Sequence, residues 1–154
     1  MEFMKKATQL GYKAYSQDEI PIGAVIVKDN KVISAAHNKR EKSQIATHHA
    51  EILAIEKACK KLKSWRLDDC DLYVTLEPCP MCAGAIMNAR IRNVYYAVAD
   101  SESGGYSRFK IFENTLNHTT NYIHVESFND ENKNLIQTFF KNKRKIQKNN
   151  KKLK

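Results

Sequence analysis

No stretch of this chain approaches the uninterrupted apolar length that a bilayer span requires. Its first residues, MEFMKKATQLGYKAYS, alternate charge with apolar side chains where an export signal would run hydrophobic. These two absences lead us to expect a soluble cytoplasmic protein with no membrane segment. Cysteine is sparse: Cys59, Cys70, Cys79 and Cys82 make up the whole set, and the last two are too close for an easy bridge. With no export signal, metal binding or plain burial is a better reading than a disulfide framework. Acid is missing from residue 141 onward, where KNKRKIQKNNKKLK holds eight of the 26 basic residues. The first 140 residues then carry 18 basic against 17 acidic, so the net charge of +9 is a property of the tail. A solvated terminus and a polyanion contact both account for such a tail.

What is present suits one domain with a single sizeable core, since the chain has 154 residues of which 42% are hydrophobic. Phe3, Ala7, Leu10 and Ala14 recur at helical spacing. After the break at SQDEIP, GAVIVKDNKVISAA gives two β-rich runs around an Asp29, Asn30 turn. Ile52, Ile55, Cys59 and Leu62 predict a buried helical stripe over 50–62, and DLYVTL (71–76) reads as a strand ending at Pro78. MCAGAIMNAR is a further helix. NVYYAVA (93–99) and NYIHVES (121–127) are strands separated by a Gly104, Gly105 turn and a polar stretch. Residues 129–148 form a last helix with Leu135, Phe139 and Ile146 inward. Five strands alternating with helices imply an α/β fold, a three-layer α/β/α sandwich on a five-stranded mixed sheet. Residues 1–140 are expected to be the domain and 141–154 a basic extension of its last helix.

Polar chemistry gathers at two helix starts. HHAE (48–51) opens one helix, and EPCPMC (77–82) opens the next directly after a strand. Cysteines at C-x-x-C spacing on a helix N-terminus aim two sulfurs at one point, where the helix dipole favours thiolate. A lone C-x-x-C also fits a redox pair or ordinary buried thiols. The H-x-E pair upstream changes the balance, because His49 with Cys79 and Cys82 makes three tetrahedral zinc ligands and leaves a fourth position open for water. An open position implies catalysis. Glu51, two residues after the histidine, is then able to take a proton from a metal-activated water, although a first-turn acid also stabilises a helix dipole.

HAE together with TLEPCPMCAGAI resembles the zinc-dependent nucleoside and base deaminases, whose known signature is H-x-E followed by P-C-x-x-C. The stretch from IPIGAVIV to ARIRNVYYAVAD, with FFKNKRK in the final helix, is similar to the bacterial tRNA-specific adenosine deaminases over nearly the whole chain. The resemblance implies a cytidine-deaminase-like fold, a homodimer, and a hydrolase with one zinc ion per subunit. It also implies conversion of adenosine to inosine at the wobble position of a tRNA anticodon stem-loop, with zinc-bound hydroxide attacking C6 and Glu51 as proton shuttle.

Carried across residue by residue, the ligands fall on His49, Cys79 and Cys82 and the proton shuttle on Glu51. His48 is left as a neighbouring polar residue. Asn38, in HNKRE, matches an asparagine that contacts the target nucleoside, and also reads as a turn asparagine. Asp100 matches an aspartate near the anticodon-loop backbone, and also reads as a strand-end acid. Phe140 falls where aromatics approach the bound loop, although core packing suits either member of the Phe139, Phe140 pair. Two departures stand out. Ile45 and Ala46 replace an Asp and a Pro ahead of Thr47, and SESGGYSRFKIF (101–112) replaces a smaller segment rich in Gly and Ala.

Two other readings compete. A free-base or nucleotide deaminase would use the same four residues, because the signature reports chemistry and not substrate. An RNA-binding module with a structural zinc would need a fourth protein ligand, for which His48, His37, Cys59 and Cys70 are the candidates.

Overall fold

The structure is a computed structural model that describes residues 1–112 and 118–154. Strands β1 (Gly23–Lys28) and β2 (Lys31–His37) form a hairpin. Asp29 and Asn30 close it with φ of 49° and 60°, the paired left-handed geometry that matches strand twist. The sheet continues through β3 (Cys70–Leu76), β4 (Asn93–Val98) and β5 (Asn121–His124) in the order β2-β1-β3-β4-β5. β1 is antiparallel to β2 and β3, while β3, β4 and β5 are parallel, so the sheet is mixed as expected. Helices α1 (Glu2–Ser16), α2 (Arg40–Ser43), α3 (Ala50–Leu62), α4 (Pro80–Ala89) and α5 (Asn129–Lys152) complete the chain, with a 3-10 turn at Glu126–Phe128. No helix is long and apolar enough to cross a membrane among the described residues.

Alternation along the strands makes three layers. Ala24, Ile26, Leu72, Val74 and Val94 face α3 and α4, whereas Val25, Val27 and Ala97 face α1 with its Met4 and Ala7. Burying side chains such as Ile26, Leu72 and Ile86, all at 0% exposure, contributes roughly 1.5–3 kcal/mol each. α5 lies beside α1, with Asn132 donating to the Thr8 hydroxyl at 3.0 Å and Phe139 edge-on to Tyr15.

Three details differ from the sequence reading. The wholly buried stripe of α3 is Ala50, Ala54 and Ala58; Ile55, Cys59 and Leu62 pack at its flanks, and Ile52 is half-buried. Small side chains let this helix lie close on the sheet. Ile146 is 55% exposed, at the rim of a shallow hollow that it lines with Tyr15, Asp18 and Phe139, because α5 is leaving the body there. α5 continues to Lys152, and the last strand stops at His124, where the 3-10 turn takes over. The polar stretch expected after Gly105 includes residues 113–117, which lie outside the described residues.

Candidate functional site

β2, β3 and β4 all point the same way, so the residues just beyond each of them collect at one end of the sheet. Asn38 follows β2, Glu77 and Cys79 follow β3, and Asp100 lies just beyond β4. Carboxyl ends of strands are where open α/β sheets bind ligands. α3 and α4 begin at that same end. His49 caps α3 and Cys79 caps α4, both with extended backbone, and Pro80 fills the first position of α4, where its missing N–H costs nothing.

The two caps meet. His49 Nδ1 lies 3.6 Å from the Sγ of Cys79 and 3.6 Å from the Sγ of Cys82. A tetrahedral zinc with ordinary Zn–N and Zn–S bonds has N···S edges of about 3.6 Å, so the spacing fits the ion without rearrangement. Among the described residues this is the one group of three His, Cys, Asp or Glu side chains gathered for a metal. His48, His37, Cys59 and Cys70 stand outside it, so the fourth-ligand requirement of a structural zinc clip is unmet among the described residues.

Protonation supports the same conclusion. The Cys79 thiol is held down to about 4, first by its hydrogen bond with Cys82 and then by the His49 imidazole. Cys82 is pushed far up by that same bond, by burial and by the charges of Glu51 and Cys79. Two neighbouring thiols thus share one negative charge, and a divalent cation between them would let both deprotonate. His49 is raised, chiefly by its hydrogen bond with Cys79 and against the effect of burial.

Glu51 sits in the first turn of α3 at 4% exposure. Burial is the main cause raising its carboxyl, with the Cys79 charge adding to it. Its Oε1 is buried and has no hydrogen-bond partner. A dipole-stabilising surface acid would not be arranged this way, because a buried acceptor left bare is costly unless something else arrives to occupy it.

His49, Glu51 and Cys79 line an open cleft of about 790 Å³, whose walls include Asp100 and Phe140. Asn38, 5% exposed, lines a small adjoining hollow that also reaches His49. Its Oδ1 accepts the Arg40 N–H at 3.3 Å, so it makes the turn contact as well. The Asp100 carboxylate accepts the N–H groups of Glu102 and Ser103 at 3.2 and 2.9 Å, which ties the cleft wall together. Phe140 is 40% exposed while Phe139 is buried, so it is Phe139 that packs in the core.

Residues that the sequence reading passed over also shape this cleft. Glu19, at 0% exposure, accepts the N–H groups of Glu41 and Lys42, each at 2.9 Å, and so holds the start of α2 beside the cleft. Arg40 of that helix lines it. Glu77, 2% exposed, lines it beneath the ligand turn. Only the acid's position inside TLEPC hinted at Glu77, and nothing local hinted at Glu19.

Fold and site together define the class of the cytidine-deaminase-like proteins. A family model for the MafB19-like deaminases matches residues 1–144. A tRNA-specific adenosine deaminase from Aquifex aeolicus (strain VF5) is 42% identical over 141 residues, covering 90% of this chain and 92% of the relative. A solved structure from work on A-to-I editing by tRNA:A34 deaminases at the wobble position of transfer RNA aligns with a TM-score of 0.82 at 40% identity, covering 87% of this chain and 98% of the other. A solved guanine deaminase from Bacillus subtilis aligns with a TM-score of 0.64 at 38% identity, covering 80% and 83%. This chain, an enzyme, belongs to the family of the tRNA-specific adenosine deaminases.

Proposed function

We propose that this enzyme converts adenosine to inosine at the wobble position of a tRNA anticodon, in the cytoplasm and as a homodimer, with one zinc ion per subunit held by His49, Cys79 and Cys82. Zinc, when bound, supplies the Lewis acidity that makes water nucleophilic near neutral pH. Glu51 accepts a proton from that water and delivers it to N1 of the base. Once oxygen is bonded to C6, the same carboxylate takes the remaining proton from that oxygen and delivers it to the amino group, so that the C6–N bond breaks as the C6 carbonyl forms. Water is consumed and ammonia leaves. The observation that carries this reading is the bare, buried Oε1 of Glu51 beside the three-ligand group at the cleft floor.

Asn38 orients the nucleoside, while Asp100 and Phe140 engage the nucleotides next to it. A stacked base cannot reach the floor, so the target nucleotide must be splayed out, which is easier in a loop than in a duplex. Residues 1–140 form the catalytic unit and 141–154 the basic extension. Because Asn142 still touches Tyr15 and Lys143 pairs with Asp18, the part of the extension free to meet phosphate begins at Arg144.

A second reading, hydrolysis of free guanine, is favoured by the likeness to the Bacillus subtilis enzyme. The cleft's reach from the floor to α5 argues for a substrate longer than one base. Ammonia release from an anticodon stem-loop with adenosine at the wobble position decides between them, measured beside adenosine, cytidine, deoxycytidylate and guanine at matched concentrations. We expect efficient turnover of the stem-loop and very slow turnover of the small molecules. Rapid guanine turnover with an inert stem-loop would overturn the tRNA reading and leave Glu51 in its role.

A further inference from the structure

Three buried side-chain oxygens near the ligand turn lack partners: Glu51 Oε1, Glu77 Oε2 and the Tyr122 hydroxyl. The reaction proposed above occupies the first. Glu77 and Tyr122 have no part in it, yet one is a bare acceptor and the other a bare donor. Both groups lie against the same short stretch of chain: Tyr106 stacks on Tyr122, and the next residue, Ser107, bonds Glu77.

Around this pair, the segment from Asp100 to Phe112 closes over the ligand turn. The Ser107 hydroxyl donates to Glu77 Oε1. The Gly105 N–H donates to the Pro78 carbonyl at 2.8 Å, and the Gly104 N–H to the Asp100 carbonyl at 2.8 Å. Side chains are excluded at both glycines: a Cβ on Gly104 would collide with Glu77 Oε2, and one on Gly105 with Ala83. Tyr106 stacks on Tyr122 with centroids 4.7 Å apart and planes 6° from parallel. This is the segment that departs from the small, Gly- and Ala-rich pattern of the resemblance, and its first residues wall the cleft.

We infer that Glu77 is a positioning residue that clamps the segment 100–112 onto the turn carrying Cys79, with Ser107 on one carboxylate oxygen and the Tyr122 hydroxyl on the other. The two atoms make no direct hydrogen bond, so the hydroxyl reaches Oε2 across one buried water, which a polar site of this kind accommodates. Bridging the two in this way satisfies two buried orphans at once. The clamp sets where Asp100 to Ser103 stand along the cleft, so it acts on how the strand beside the target is held. It leaves bond breaking to Glu51. Its kinetic consequence rests on the proposed tRNA substrate; its structural consequence does not.

Tyr122→Phe removes one oxygen and keeps the stack on Tyr106, which makes it the gentlest test. In zinc-loaded full-length protein, we expect amide exchange across 100–112 and tryptic cutting at the exposed Arg108 and Lys110 to rise about tenfold, with exchange in α3 and α4 and zinc content unchanged. KM for the stem-loop should rise several-fold and kcat should stay within about twofold. Glu77→Gln retains an acceptor for Ser107 and can turn its amide toward Tyr122, where it no longer accepts as a carboxylate. Combining it with Tyr122→Phe should therefore add little to either single change. Wild-type exchange and KM in Tyr122→Phe would overturn the clamp, as would fully additive effects in the double variant. If the wild-type enzyme leaves the stem-loop untouched, the tRNA reading falls, and the exchange comparison alone upholds or overturns the clamp.

Discussion

A carboxyl enclosed in protein with one oxygen bare is poised to exchange protons with something that is not protein. Glu51 meets that description, and its neighbours already divide one negative charge between two sulfurs. Replacing it with Gln preserves shape and removes the titrating oxygen. We expect Glu51→Gln to keep its metal and its fold and to lose at least about 10²-fold in turnover, read by ammonia release alongside metal content. Cys82→Ser should lose the metal itself, because an alcohol there replaces the buried thiolate. Near-wild-type turnover by Glu51→Gln would end its assignment as proton shuttle. The gathering of His49, Cys79 and Cys82 near Glu51 was legible in the sequence because these side chains sit at helix starts, where short spacings are retained in space. Glu77 was not, since its serine partner lies 30 residues away on a segment whose path no local pattern specifies.

At the scale of elements, the site consists of two helix starts brought together at one end of a sheet. The bridging imidazole belongs to α3 and both sulfurs to the opening of α4. An ion bound between them ties the two helices, so chelation should lower the melting temperature and zinc should restore it. At a hundredfold excess over Kd, binding contributes about 2.7 kcal/mol. A melting temperature indifferent to both treatments would mean that no metal is held here. The approach of α3 to the sheet depends on its alanines. Ala54 is wholly buried, and its carbonyl accepts the Ser34 hydroxyl at 2.7 Å. Ala54→Leu forces extra volume into that contact and should cost roughly 1–3 kcal/mol in denaturant unfolding. This is also where the sequence misleads. Large apolar residues mark the helix and its period correctly, but Ile55, Cys59 and Leu62 occupy the flanks, because only small side chains fit where helix and sheet are closest.

Over the whole molecule, charge is segregated: a nearly balanced body carries the cleft, and a strongly basic helix leaves it. The composition made that division plain, and the periodicity carried the last helix to residue 148; its final turn to Lys152 was not legible, because Asn and Lys repeats carry little helical period of their own. The helix is anchored through Leu135 and Phe139, and beyond them through Asn142 on Tyr15 and Lys143 on Asp18. The Lys143 pair is exposed and worth about 1 kcal/mol or less. Removing residues 144–154 spares all four of these anchors and deletes Arg144, Lys145, Lys148, Lys151, Lys152 and Lys154. Stability should then change little, whereas tRNA affinity should fall and depend less on salt. Each phosphate that the arm no longer neutralises reduces the slope of log K against log salt by about 0.7–0.9, the larger figure applying to duplex and the smaller to single strand. Chemistry at the cleft floor should be spared, so saturating stem-loop should restore kcat in the truncated enzyme while KM stays high. Filter binding across a salt series, with single-turnover rates at saturation, measures both. A slope unchanged by truncation would return the arm to a merely solvated terminus, and a kcat that falls with it would show that the arm acts on the chemistry and not only on binding.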